Sequence, residues 1–471
     1  AVLFFFSAIS LCVKNSFLLA AVGLLFGCKT KFFQFRKFGY ILKNTAGEMF
    51  KKGGGAKGKE GTLTPLQAVS SALAGCVGTA NIAGVATAMV VGGPGAVFWM
   101  WVVALLGGAS AFIESALAQV YKKKDGKGGC VGGPSYYMEQ ALHQRWLGII
   151  FAVVLILTYA VGYNMLASYN LQDAFSGFGF YAKSRTPYII GAILAVLFAV
   201  CVLGGGKRLT DITGVLVPVM GVLYILVSLI VIFMNIRIFP GVIANIFRDA
   251  FNFKAAFSGF TGSCIMWGIK RGLYSNEAGM GSAPNAAATA DVSHPAKQGL
   301  VQMLSVFIDT LLICSATAFM CLCSGVVPTK EAAGAAYVQA SMQQALGSFG
   351  PIFIAVSMSL FAFTTLIGNY YYCEGCLKYI LRRDPSRGGM LVFRMAATAL
   401  VFVGAIVSAG LAWDTADMLQ GTMVIINIPV ILILGNKGVA VLKDYMRQRK
   451  EGKIPEFHAA DIGITGTDYW N

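Results

Sequence analysis

Apolar stretches of roughly 20 residues recur along this chain from end to end, separated by short charged breaks, and that is the length needed to cross about 30 Å of hydrocarbon. Burying them in water instead would take several domains with polar surfaces. The chain has too little charge for that: 12% of its 471 residues are Asp, Glu, Lys or Arg, about half the fraction usual in soluble domains. The expected fold class is therefore an all-α membrane protein.

The apolar runs predict an N-terminal span ending near Gly27 and ten more, over about residues 63–90, 95–120, 146–175, 187–203, 213–235, 256–290, 299–323, 350–380, 391–411 and 416–436. About eleven transmembrane helices result. The first run, AVLFFFSAISLCVKNSFLLAAVGLLFGC, reads as an uncleaved span, because no basic region precedes it as in a signal peptide.

A net charge of +16 can signal a nucleic-acid partner, but such a footprint gathers Lys and Arg on a soluble domain. Here they lie between the spans. Alternating from outside, the segments 28–62, 121–146, 204–212, 291–298 and 376–394 and the tail after Asn436 hold 28 of the 37 Lys and Arg. The positive-inside rule then places the N-terminus outside and the C-terminus in the cytoplasm. Basic residues of the tail, such as Arg447, Arg449 and Lys450, are expected to meet the anionic inner leaflet, making membrane lipid a partner. Segments near Ser135–His143 and Gly241–Phe253 read as amphipathic interfacial stretches.

The eleven Cys are scattered, mostly within apolar runs, as small buried hydrophobes are. Cys373 and Cys376 have redox-motif spacing but no second such pair, and His143, His294 and His458 complete no ligand set. No cofactor or structural metal is expected. No Ser, His and Asp arrangement, matched carboxylate pair or HExxH appears, so an enzyme reading lacks an active site.

Two spans carry unusual densities of small residues: Ser71–Gly84, SALAGCVGTANIAG, and Ser258–Gly272, SGFTGSCIMWGIKRG. Each Gly in a helix costs about 1 kcal/mol relative to Ala, so either close helix packing or a break must justify them. They are the first and sixth of the ten spans after the extra helix. Two five-span halves inserted with opposite topology, residues 63–235 and 256–436, follow from that placement. This is the inverted-repeat logic of secondary transporters, whose broken helices bind substrate and ion near the midplane. Residues 1–28 form the extra span, 29–62 a basic cytoplasmic segment and 437–471 a basic cytoplasmic tail.

A break of this kind suits a zwitterionic amino acid. Backbone NH groups at Gly78–Asn81 can receive a carboxylate, the Thr79 hydroxyl and Asn81 amide add orienting hydrogen bonds, and carbonyls at 258–263 can receive the ammonium. Sodium takes oxygen ligands, which carbonyls from Ala74 to Gly78 and the hydroxyls of Thr364 and Thr365 can supply. The alternative for the two Thr is bonding back to their own helix. Ionisable residues within spans are costly and so are functional candidates: Glu114, Glu277, Asp309, Glu374, Asp414 and Asp417. All but Asp309 lie near span ends or breaks, where an ion pair or cap is the simpler role.

The blocks CVGTANIAGVATAMVVGGPGAVFWMWVVALLG, GGPSYYME, GLYSNEAGMGSAP, HPAKQGLVQMLSVFIDT and WDTADMLQG occur in order. Together they resemble the signature of the bacterial and archaeal alanine or glycine:cation symporter family, within the amino acid-polyamine-organocation superfamily. The resemblance implies a leucine-transporter-type five-plus-five inverted repeat with one additional N-terminal helix. It also implies a monomeric cell-membrane carrier that takes up a small neutral amino acid with sodium, or in some members with protons. It supports substrate binding at Gly78, Thr79 and Asn81 and ion coordination near Thr364 and Thr365.

Three departures fall where the family has substrate-pocket residues. Ala167 stands where a Gln is common, Tyr169 where an Asn is, and Asn369 where a Trp precedes the YYY run; Ala80 also replaces a usual Gly. A larger, differently polar pocket is expected. Alanine or glycine is the family cargo, with glutamine, asparagine or serine as rivals, and a sensor or channel on the same scaffold as the alternative class.

Overall fold

The computed structural model describes residues 17–45, 73, 76–125, 129–204, 206–252, 264–329 and 333–470. Ala74 and the carbonyls at 258–263 lie outside the described residues, as do residues 46–62 of the expected basic segment 29–62 and the first 16 residues. The side chains of residues 206–215 are likewise not described.

Eight described helices are long and apolar enough to span a bilayer. They are α3 (Gly95–Val120), α5 (Arg145–Asp173), α6 (Thr186–Leu203), α7 (Gly206–Met234), α10 (Pro295–Cys323), α12 (Phe349–Leu381), α13 (Arg387–Ile406) and α14 (Ala409–Lys450). Shorter helices are α1 (Phe17–Lys29), α2 (Ala83–Gly92), α4 (Pro134–Leu142), α8 (Phe239–Ala250), α9 (Cys264–Asn276) and α11 (Ala335–Leu346). The runs expected over 95–120, 146–175, 187–203, 299–323 and 350–380 thus turn into helices close to those bounds. The two amphipathic stretches become α4 and α8, each begun by a Pro in its first turn, where the missing N–H costs nothing.

Large apolar side chains stay on the outside of the bundle: Ile189, Val196, Phe233, Val392 and Ile433 are each more than half exposed. In water such a belt would aggregate; in lipid it is the expected outer face. Inside, α3 packs against α9 and α10, while α5 lies among α12, α13 and α14. Two helices carry π-helical segments, Leu157–Tyr163 in α5 and Ile308–Cys314 in α10. Such wide turns concentrate at functional sites.

α14 is far longer than the expected span 416–436. At about 1.5 Å per residue, its 42 residues overreach the bilayer. Beyond it the chain folds back onto the protein. The Trp470 indole donates to the Gln119 carbonyl at 2.7 Å and packs on Phe457 and Tyr469. Lys122, fully buried, lies 4.1 Å from the Tyr469 ring centroid. Arg447 pairs with Asp444, and Arg449 bonds Tyr40 and Asn44. These two basic residues thus have partners within the protein, one on α14 and two on the N-terminal segment.

His294 holds this tail in place. Its Nδ1 accepts from the Ala296 N–H, its Nε2 faces Asp444 at 3.2 Å, and Tyr445 and Phe457 pack on the ring. Burial pulls the imidazole down to about 4, against the opposing pull of Asp444. The folded state thus keeps His294 neutral, whereas the unfolded segment protonates near 6.5. Tail docking is predicted to be fully stable above pH 6.5 and to lose about 3 kcal/mol as pH falls towards 4. Proteolysis of the tail should therefore accelerate between pH 6.5 and 4 in the wild type, and His294→Asn should flatten that dependence; a pH-independent wild-type rate contradicts it.

Candidate functional site

The first break lies where the small-residue pattern puts it. Cys76–Gly78 leave the helix, Thr79–Asn81 make one 3-10 turn and α2 resumes at Ala83. Gly78 is extended, and its N–H donates to the Asn81 carboxamide oxygen at 2.8 Å. A methyl group at Gly78 would collide with Thr365 Oγ1, so the break is seated directly against α12.

Residues 258–263 of the second stretch lie outside the described residues, and a described break follows further along the chain. Residues 264–272 are continuous helix, and α9 runs on to Asn276. The chain then turns through Glu277, Gly279 and Gly281, all with positive φ, before a short helix at Ala283–Ala287. The small residues of the expected break serve packing: a side chain at Gly268 would meet Trp99 Cβ at 2.7 Å, and one at Gly272 would meet Met100 Cα at 3.2 Å.

Glu114 secures this second break from α3. Its carboxylate accepts the Gly279 and Gly281 N–H groups at 3.0 and 3.1 Å and the Asn427 carboxamide of α14 at 3.2 Å. Tyr137 in turn donates to Asn427 Oδ1 at 2.6 Å. Glu277 accepts from Ser282 at 2.8 Å.

Both breaks meet at Asp309, in the π segment of α10. Its Oδ1 accepts from Asn81 Nδ2 at 2.7 Å, and its Oδ2 from Ser275 Oγ at 2.7 Å and Thr310 Oγ1 at 3.0 Å. The Asn81 carbonyl accepts from Thr317 Oγ1 at 2.6 Å. Asp309 is fully buried, and among the described residues it makes hydrogen bonds to neutral donors and no ion pair. A carboxylate so placed is costly to ionise within the membrane unless a cation compensates its charge.

An aromatic series joins α5, α9 and α14. Tyr163 packs between Tyr159 and Tyr274 at 4.8 and 4.9 Å, and Trp413 lies 5.6 Å from Tyr274. Arg271 stacks 4.0 Å from the Trp413 centroid and donates to both Asp417 oxygens at 3.2 and 3.3 Å. Lys270 adds a 2.6 Å contact. Asp417 thus takes the ion-pair role weighed for it, joining α9 to α14; Glu374 does the same with Lys378 at 2.8 Å.

The other candidates divide. Thr79 Oγ1 accepts from Asn170 at 3.3 Å, which ties the first break to α5. Thr364 and Thr365 both donate back to their own helix, Thr365 to the Phe361 carbonyl at 2.8 Å. That occupies their protons and leaves oxygen lone pairs for a cation. Asn369, one turn beyond Thr365, donates to Asn164 Oδ1 at 2.9 Å. Ala167 packs instead among Leu171, Phe198, Tyr370 and Val401, and Tyr169 reaches its own helix at Asp173, 3.5 Å away. Ser275, Tyr163 and Tyr274 are the residues that sequence reasoning missed.

Discontinuous helices that meet around a buried carboxylate, inside a bundle with an apolar outer face, define a multi-pass membrane transporter. The fold agrees with a solved structure, a point variant of a manganese transporter from Eremococcus coleocola, at TM-score 0.51 and 15% identity over 85% of this chain and 84% of that one. The model of the sodium:alanine symporter family matches residues 5–459, and the chain belongs to that family. It is 43% identical to the amino-acid carrier protein AlsT of Bacillus subtilis, over 96% of this chain and 94% of that protein. It is 42% identical to a protein of the same organism named as a probable sodium/glutamine symporter, GlnT, over 94% and 89%.

Proposed function

We propose that the protein imports a neutral amino acid together with sodium by alternating access. The observation that carries this reading is the junction at Asp309, where both helix breaks, a buried carboxylate and the hydroxyls of Ser275 and Thr310 converge. A cation at the junction compensates the buried charge. The amino-acid carboxylate sits at the N–H groups of Gly78–Asn81, oriented by Thr79 and Asn81, and the Thr365 oxygen beside Gly78 joins Thr364 and the carbonyls of Ala74 and Gly78 as ligands for sodium. Binding of substrate and ion then draws the same two breaks together, which is how one can depend on the other.

In this reading the chain is a five-plus-five inverted repeat with an additional N-terminal helix, its N-terminus outside and its C-terminus cytoplasmic. The chain acts as a monomer in the cell membrane of a bacterium or archaeon, in contact with lipid.

Alanine or glycine is the family cargo. A second reading, a larger polar amino acid such as glutamine, asparagine or serine, is favoured by Asn369: a carboxamide pair with Asn164 stands where the family commonly has an indole. Competition against labelled alanine uptake separates the two. The first reading predicts that unlabelled alanine or glycine competes at least about tenfold better than glutamine, the size of effect that one or two buried hydrogen bonds produce. A reversed ranking that Asn369→Trp restores supports the second. Equal competition by every neutral amino acid contradicts both.

A further inference from the structure

One cavity lies away from the helix breaks, on the face that the positive-inside rule assigns to the cytoplasm. Its volume is about 520 Å3, within the range of small-ligand pockets, and it is bounded by the hairpin after α3, α4, the start of α5 and the end of α12. Six cationic side chains line it, Lys123, Lys124, Arg145, Lys378, Arg382 and Arg383, against three carboxylates.

The internal ion pairs do not exhaust this charge. Glu139 is shared by Arg145 at 3.2 Å and Arg382 at 2.9 Å, Lys378 pairs with Glu374, and Lys123 reaches Asp468 at 3.5 Å. Lys124 and Arg383 make no ion pair among the described residues. Tyr136 and Tyr379 pack edge to face at 4.9 Å, and Arg145 lies 5.5 Å from the Tyr379 centroid, giving the cavity one apolar wall. Next to the lining residues, Trp146 and Leu381 are 61% and 42% exposed, as aromatic and apolar anchors at a membrane interface are.

A cluster of cations repels itself unless an anion enters, and phosphate oxygens suit forked guanidinium and ammonium donors. We infer that this cavity is a binding site for a phosphate-bearing anion, supplied by the headgroup of an anionic lipid or by a soluble phosphate. Basic pockets between helices at the cytoplasmic surface take such headgroups. Occupancy joins the end of α12, which carries Thr364 and Thr365, to α4 and α5, so it stiffens the scaffold around the substrate site.

The test is the thermal midpoint of the purified full chain in detergent, titrated with phosphatidylglycerol, with phosphatidylcholine and with pyrophosphate. Phosphatidylglycerol should raise the midpoint and phosphatidylcholine should not. The double variant Lys124→Gln and Arg383→Gln should keep the lipid-free midpoint and need about tenfold more phosphatidylglycerol for the same rise. A control variant, Lys443→Gln with Lys450→Gln, removes two exposed charges from the end of α14 and should respond as the wild type does. A rise with pyrophosphate alone supports the site and assigns it a soluble ligand. No rise with either anion, or an equal response from the cavity variant and the wild type, overturns the proposal. If the cavity variant's lipid-free midpoint falls, the single variants are titrated in its place, and a wild-type response from both overturns the proposal.

Discussion

Asp309→Asn is expected to lower sodium-driven uptake at least about a hundredfold while leaving the protein folded. The reasoning is electrostatic. The substitution keeps the shape of the side chain but removes the carboxylate that can balance a cation where both breaks converge, and it places a second amide group opposite Asn81 Nδ2 or Ser275 Oγ. Hydrogen bonds to a charged group contribute about 1.5–3 kcal/mol each, and an amide opposite an amide loses part of that. A cation held against the carboxylate loses its counter-charge as well. Uptake is to be measured in proteoliposomes at saturating sodium, beside a thermal-unfolding scan of the same preparation. Uptake within threefold of wild type would falsify the assignment of Asp309.

Gly78→Ala should be nearly as damaging for a steric reason. A methyl group there collides with Thr365 Oγ1, and overpacking of this kind costs about 1–3 kcal/mol. The double variant Gly78→Ala with Thr365→Ala separates contact from coordination. Removing the hydroxyl makes room for the methyl, so the midpoint of thermal unfolding should return to within a degree or two of wild type, a recovery of about 1–3 kcal/mol. Uptake should stay low, because an oxygen proposed to bind sodium has gone with the clash. If the double variant recovers both stability and sodium-driven uptake, Thr365 is a packing residue and no ion ligand.

The limits of sequence reading are visible in particular residues. The spans were legible because the bilayer imposes one length on every crossing helix, and α6 and α3 begin and end within a residue of the expected runs. The first break was legible because Gly78 and Asn81 are poor helix formers placed together. In the second stretch the described part, 264–272, is continuous helix. Gly268 and Gly272 are small so that α9 can approach α3 closely, and density of small residues does not distinguish packing from unwinding. The break that follows is marked by Gly279 and Gly281, whose positive φ cannot be read from composition.

Asp309 stood out as a carboxylate in mid-span, but its partners did not. Asn81 lies 228 residues away in the chain and Ser275 lies 34 away, and only the fold brings them to one point. The aromatic pair Tyr163 and Tyr274 was hidden for the same reason. The docked tail was illegible because Trp470, His294 and Gln119 become partners only after the helices have packed. Ala167, expected in the pocket from the resemblance, belongs to the apolar cluster among α5, α6, α12 and α13. A smaller side chain there is accommodated by its apolar neighbours.

The most direct test of the central claim, coupling of amino-acid import to sodium at the paired breaks, is accumulation of labelled alanine in proteoliposomes under an inward sodium gradient, repeated with potassium in its place and with glutamine as the labelled substrate. The account predicts that at least one of the two accumulates above its external concentration with sodium, and that this accumulation collapses with potassium. Accumulation that persists unchanged when potassium replaces sodium, or no accumulation of any neutral amino acid under either gradient, contradicts it.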